Sequence, residues 1–173
     1  MNELLEIAKY ILPSLVVLAT TYLLVRDFLD VEHKRKLVDV RVGGQKIVTP
    51  IRLQAYERLA LLLERISPSN LVIRVAKSKT TAQQLQMDLM NNVRSEFDHN
   101  LSQQVYISDE AWEMVKNSKE EIIKMINVAA SKLPDAAEGK DLCSVLLEME
   151  YRTEKMPTIA AIEYLKNEVR QMF

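Results

Sequence analysis

Apolar and polar positions recur with a helical period along most of the chain, and one segment near the start departs from it. Residues Tyr10 to Val25 (YILPSLVVLATTYLLV) form an uninterrupted uncharged run that is mostly apolar. The run lacks the polar stripe at 3.6-residue spacing that a surface helix carries. A membrane-spanning helix takes about 20 apolar residues, whereas runs of about 10–14 more often form buried core helices. The flanks lengthen this one. Ile7 and Ala8 join it if Lys9 snorkels its ammonium to the interface, and Phe28 and Leu29 continue it past Arg26. Tyr10, Tyr22 and Phe28 lie near the two edges, where an aromatic belt sits. Pro13 falls in the first turn of the uncharged run, where its missing N–H costs little. The pattern predicts a transmembrane anchor in residues 1–29, with residues 10–25 in the bilayer. A buried core helix is the alternative. A cleaved signal peptide fits poorly, because Glu3 and Glu6 stand where a basic leader is needed.

The remaining chain reads as helices. Residues 28–42 continue the anchor helix as a charged segment, and Gly43-Gly44 predicts a break. Residues 30–48 are thus a basic juxtamembrane helix and linker, and residues 49–173 a helical domain. Thr49-Pro50 predicts an N-cap and first helical position. The next helix places Tyr56, Leu59, Ala60, Leu63 and Ile66 on one stripe, which Leu61 and Leu62 widen, and Ser67-Pro68 ends it. Leu71 to Ala76 and Val105 to Ile107 are short apolar pieces that periodicity cannot sort into strand or helix; connectors in a helical fold are preferred. Thr80 and Thr81 offer overlapping capping boxes with Gln83 and Gln84, opening a helix with Leu85, Leu89, Met90, Val93 and Phe97 inward. Ser108 caps a helix running to about Leu133, with Asp109 and Glu110 in its first turn. Pro134 to Lys140 predicts a loop, and residues 142–154 a helix with Leu142, Val145, Leu146 and Met149 inward. Pro157 opens the last helix, its face carrying Ile159, Ile162, Leu165, Val169 and Phe173. The fold class is mainly α: an N-terminal transmembrane helix followed by a bundle-like domain of five or six helices.

Charge sharpens the picture where composition does not. The net charge is −1, with 23 Lys and Arg against 24 Asp and Glu. Residues 26–80 hold 12 basic and 6 acidic residues, whereas residues 81–173 hold 10 and 16. Before the uncharged run there is only Lys9, and after it come Arg26, Lys34, Arg35, Lys36, Arg41 and Lys46. The positive-inside rule then places the C-terminal bulk in the cytoplasm, on an inner membrane crossed once. Lys9, Tyr10, Tyr22, Arg26, Phe28, Lys34, Arg35 and Lys36 are the expected membrane-interface residues. The basic cluster is either a collar on anionic lipid or a solvated helix end. It lacks interleaved aromatics, so nucleic acid is not an expected partner. A single cysteine, Cys143, excludes an intramolecular disulfide framework.

The segments TPIRLQAYERLALLLERISP and SEFDHNLSQQVYISDEAWEMVKNSKEEIIKMIN, with the short N-terminal span, resemble an uncharacterised family of Bacteroidota proteins. The likeness covers most of the chain from about Ile11 to Ala130. It implies one membrane span and a helical cytoplasmic domain, and no activity or catalytic residue to carry over.

Candidate chemistry is sparse. Three glycines, at 43, 44 and 139, leave no room for a Walker loop, a nucleophile elbow or a dinucleotide-binding turn. Glu96 and His99 stand three apart, as do Asp30 and His33, but each pair is only half of a dimetal carboxylate pattern. No metal ligand, cofactor or catalytic residue is assigned. Cys143 reads as a small core residue on an apolar stripe. Arg94 to Gln104 is a polar stretch ending a helix near Trp112, either a hydrogen-bonded corner or a partner surface. The sequence therefore points to a membrane-anchored interaction or scaffold protein, acting on an unnamed protein partner or by self-association. The alternatives are an enzyme with a site near Glu96, Asp98 and His99, and a soluble helical domain whose first helix is buried.

Overall fold

Helix α1 runs from Asn2 to Ile66 in the computed structural model and does not stop where the sequence predicts a break. The structure describes the backbone of residues 2–77 and 79–172, and among these the side chains of all but residues 2–14, 30 and 33–45. The backbone is helical through Gly43-Gly44 and through Thr49-Pro50, so neither a break nor a new N-cap forms there. The energetics favour continuity. Two interior glycines cost about 1 kcal/mol each relative to alanine. A stop and restart would leave four C=O and four N–H groups without helical partners. Pro50 still leaves a mark, since its missing N–H removes one ladder bond. The chain divides at this point into two units, residues 1–49 and 50–173.

In the first unit every side chain from Leu15 to Leu29 is exposed, including Leu15, Val17, Leu18, Leu24 and Phe28. The predicted span of residues 10–25 begins among side chains outside the described residues. Among the described residues, no helix is long and apolar enough to cross a membrane. Helix α1 begins at Asn2, ahead of the uncharged run, so Pro13 lies in the helix interior.

The second unit holds the end of α1, then α2 (Pro68–Val75), α3 (Ala82–His99), a 3₁₀ turn (Leu101–Val105), α4 (Asp109–Ser131), α5 (Gly139–Arg152) and α6 (Pro157–Arg170). The chain is mainly α, and the described residues contain no strand. Leu71 to Val75 is helical, and Val105-Tyr106-Ile107 leads out of the 3₁₀ turn into α4. One isolated antiparallel bridge joins Thr81 to Glu138. It brings the starts of α3 and α5 together through Ala82 N donating to Ala137 O and Gly139 N donating to Thr80 O. Gly139 is already helical, so the loop expected to reach Lys140 is shorter.

Helix α4 is central and packs on α3, α5 and α6. One cluster gathers Leu59, Leu63 and Ile66 of α1 with Leu71, Leu85, Leu89, Ile122, Ile126, Leu142, Leu146 and Leu165. Each such side chain contributes about 1.5–3 kcal/mol by leaving water. Two expected inward positions face out: Leu61 is 57% exposed and Ile159 is 50% exposed. Helix α6 buries Thr158, Ala161, Ile162 and Leu165 instead. The buried Ser118 hydroxyl of α4 lies 3.0 Å from the Pro157 carbonyl at the start of α6 and 2.8 Å from the Met114 carbonyl of its own helix, so its one proton is shared between them. Phe173 lies outside the described residues.

Candidate functional site

The polar end of α3 is where side chains from three helices meet. Glu96 holds one carboxylate oxygen, Oε1, toward two guanidiniums. Arg65 of α1 donates from Nε at 2.9 Å and Nη2 lies at 2.7 Å, while Arg74 Nη1 of α2 donates at 2.6 Å. Arg74 Nη2 goes on to the Arg65 carbonyl at 3.1 Å and to Asn92 Oδ1 at 2.8 Å. Burial raises the Glu96 pKa, but the hydrogen bonds and charges of Arg74 and Arg65 outweigh it and hold the carboxyl below its ordinary range. Charge-assisted bonds of this kind are roughly twice as strong as neutral ones.

The polar stretch beyond Glu96 divides in two. Asn100 and Gln103 are buried, with Asn100 Nδ2 donating to the Glu96 carbonyl at 2.8 Å and Gln103 Nε2 to Ser102 Oγ at 3.1 Å. Phe97 stacks on Trp112 at 5.1 Å between ring centroids, and Lys119 Nζ sits 4.5 Å over the Phe97 ring. These contacts are scaffold. Ser95, Asp98 and His99 are exposed. The Ser95 carbonyl lies 2.7 Å from His99 Nδ1 and can only accept, so that nitrogen carries the proton and Nε2 is left free.

An open cavity of about 320 Å³ is lined by Arg58, Arg65, Ser95, Glu96 and His99, over a floor of Leu61 and Leu62. A second, of about 400 Å³, is lined by Arg74, Lys77, Asp88, Asn92 and again Ser95. Of the three residues considered for catalysis, Glu96 and His99 share the first cavity and Asp98 lies outside it. Among the described residues no three His, Cys, Asp or Glu side chains gather as a metal ion would need. The arginines were not singled out from sequence. The available signal was the seven-residue spacing of Arg58 and Arg65, which puts both on one face of α1.

A different surface lies between α1 and α6, where Leu53, Tyr56, Ala60, Leu165 and Val169 line an apolar groove of about 270 Å³. The Tyr56 hydroxyl and Glu168 Oε2 are sealed from solvent, and neither closes a hydrogen bond. Burial raises the phenol pKa, and the adjacent Glu168 carboxylate raises it further. Arg52 donates from Nε to the Tyr106 carbonyl at 3.0 Å, tying α1 to the end of the 3₁₀ turn.

Of the expected interface residues, Tyr22, Arg26 and Phe28 are exposed. The side chains of Lys9, Tyr10, Lys34, Arg35 and Lys36 lie outside the described residues. Cys143 is partly buried against the core, and burial pushes its thiol up. A search of the curated proteins and of the solved structures finds no match. The model of the family of unknown function DUF7935 matches residues 2–172, and the chain belongs to that family.

Proposed function

We propose that this is a membrane-anchored, non-catalytic interaction protein whose helical domain recruits a protein partner to the cytoplasmic face. The observation that carries the anchor is the uncharged helical stretch Leu15 to Val25, whose side chains are exposed around the whole helix. A helix that is apolar all round belongs in a protein core or a bilayer. Lipid would cover it and recover about 25 cal/mol for each Å² of apolar surface taken from water. The basic flank after the run fits the C-terminal domain inside. In a Bacteroidota cell, as the sequence resemblance implies, that membrane is the inner one, crossed once through residues 10–25. Tyr22, Arg26 and Phe28 would sit at the interface with Lys9, Tyr10, Lys34, Arg35 and Lys36.

The non-catalytic half rests on Glu96. Its carboxylate is held by two arginines and its pKa moves away from the range a general base needs near neutrality. The test is fractionation of the native protein followed by alkaline carbonate extraction. Wild type stays in the pellet, and a Leu18→Glu, Leu24→Lys variant is released. Wild type found in the supernatant would discard the anchor and favour a soluble helical domain.

A further inference from the structure

We propose that the edge formed by α1, α2 and α3 in residues 50–173 is a binding groove for an acidic, extended segment of a partner protein. The inference deepens the recruitment reading and rests on it. Its first support is continuity. The two cavities beside Glu96 share Ser95, so they form neighbouring parts of one polar surface along α3. Its second is unspent charge. Arg65 and Arg74 are engaged by Glu96, but Arg58 in one cavity and Lys77 in the other make no ion pair among the described residues. Four cations line the surface against two acids, Glu96 and Asp88. Two carboxylates, one for each unpaired cation, balance it.

The shape favours a peptide over other polyanions. Ser95, Asn91 and Asn92 on α3 offer hydroxyl and amide groups to the backbone of a segment lying along the helix. His99, in the same cavity as Arg58, adds a ring Nε2 that can accept from a backbone N–H of the segment. No Phe, Tyr or Trp lines either cavity, so single-stranded nucleic acid finds only the His99 ring to stack on, where successive bases need a series. Both cavities are open along α3, so an extended chain can run from one to the other.

The test uses the full-length protein in mild detergent and fluorescence anisotropy with a labelled Glu/Ser peptide at low salt. The peptide is expected to bind, and its Gln/Ser counterpart at least tenfold more weakly. Arg58→Gln with Lys77→Gln should weaken binding about tenfold, and Asp88→Asn should strengthen it about twofold, because that change removes a repelling charge. Lys132→Gln, outside both cavities, should leave the affinity unchanged. Among the described residues neither the Arg58 guanidinium nor the Lys77 ammonium has an ion-pair partner, so an unchanged melting temperature checks that the double variant folds. During the titration the ring resonances of His99 should move. Equal binding of the Gln/Ser peptide, or equal losses in Lys132→Gln and the double variant, would overturn the proposal. So would a groove-dependent preference for poly(U) or short-chain phosphatidylserine over the peptide. Because binding is read in detergent, loss of the anchor in the carbonate experiment leaves this result standing, and the two failures are distinguishable.

Discussion

At the scale of single residues the structure holds two positions whose side chains, or lack of one, are under unusual constraint. Tyr56 is almost fully buried, and its hydroxyl faces the Glu168 carboxylate and Arg52 without closing a well-aligned hydrogen bond to either. A buried donor left unpaired costs about 1–3 kcal/mol, so its removal is not a loss. Tyr56→Phe should therefore be at least as stable as wild type, by up to about 1 kcal/mol in urea unfolding at neutral pH. The pH dependence has a definite sign. The folded phenol has a raised pKa, so its contribution is full below the ordinary tyrosine range and is lost as pH climbs through the folded value. That alkaline loss should be absent from Tyr56→Phe. Gly139 is constrained the other way. A Cβ there would meet Thr80 Oγ1 at 2.7 Å and the Thr80 carbonyl at 3.1 Å. Gly139→Ala must push apart the bridged starts of α3 and α5, and should lose about 1–3 kcal/mol. A variant as stable as wild type would show that the bridge gives way freely.

At the scale of elements, the legible features are those set by residues three or four apart. The sequence offers two capping boxes at the start of α3, and the structure selects Thr81, whose Oγ1 accepts from Gln84 N at 3.2 Å. Thr80 spends its hydroxyl on the Lys77 carbonyl at 3.0 Å. Thr81→Ala should thus cost about 1 kcal/mol, and Thr80→Ala less than half of that, in chemical unfolding. Equal losses would mean that the selection of cap is not energetically real. Ser108 and Pro157 were readable for the same local reason. What could not be read came from far along the chain. Ile159 fits an inward stripe on its own helix, but packing against α4, far along the chain, buries Thr158, Ala161, Ile162 and Leu165 instead. Leu61 continues an apolar run, and only the placement of α3 shows that it floors an open cavity. The Glu96 corner is hidden likewise, because Arg65 and Arg74 lie 31 and 22 residues away. Gly43-Gly44 misled in the other direction: local punctuation lost to the cost of ending a long helix.

At the scale of the whole helical unit, one carboxylate oxygen links α1, α2 and α3. About a fifth of the Glu96 side chain is exposed, against 45% of Arg65 and 30% of Arg74, so solvent screens these pairs in part, less than it screens Lys140 with Glu138. The folded carboxyl titrates below the ordinary glutamate value of about 4.3. A lowered folded pKa means that the stabilisation is fully present above the unfolded value and is lost as pH falls through the folded one. Glu96→Gln keeps the shape and removes the charge, so it should lose about 1–2 kcal/mol at pH 7. The gap to wild type should then narrow as pH drops below the ordinary glutamate range, because wild type loses in acid what the variant never had. Urea unfolding of both proteins from pH 7 down to the acid limit of solubility measures that gap directly. A gap that stays constant through the acid range would mean that Glu96 acts through packing alone, leaving the acid sensitivity of the unit to other carboxylates. Convergence of the two curves would show instead that the ionised carboxylate joins the three helices. It would also show why Arg65 and Arg74 are unavailable to an incoming anion.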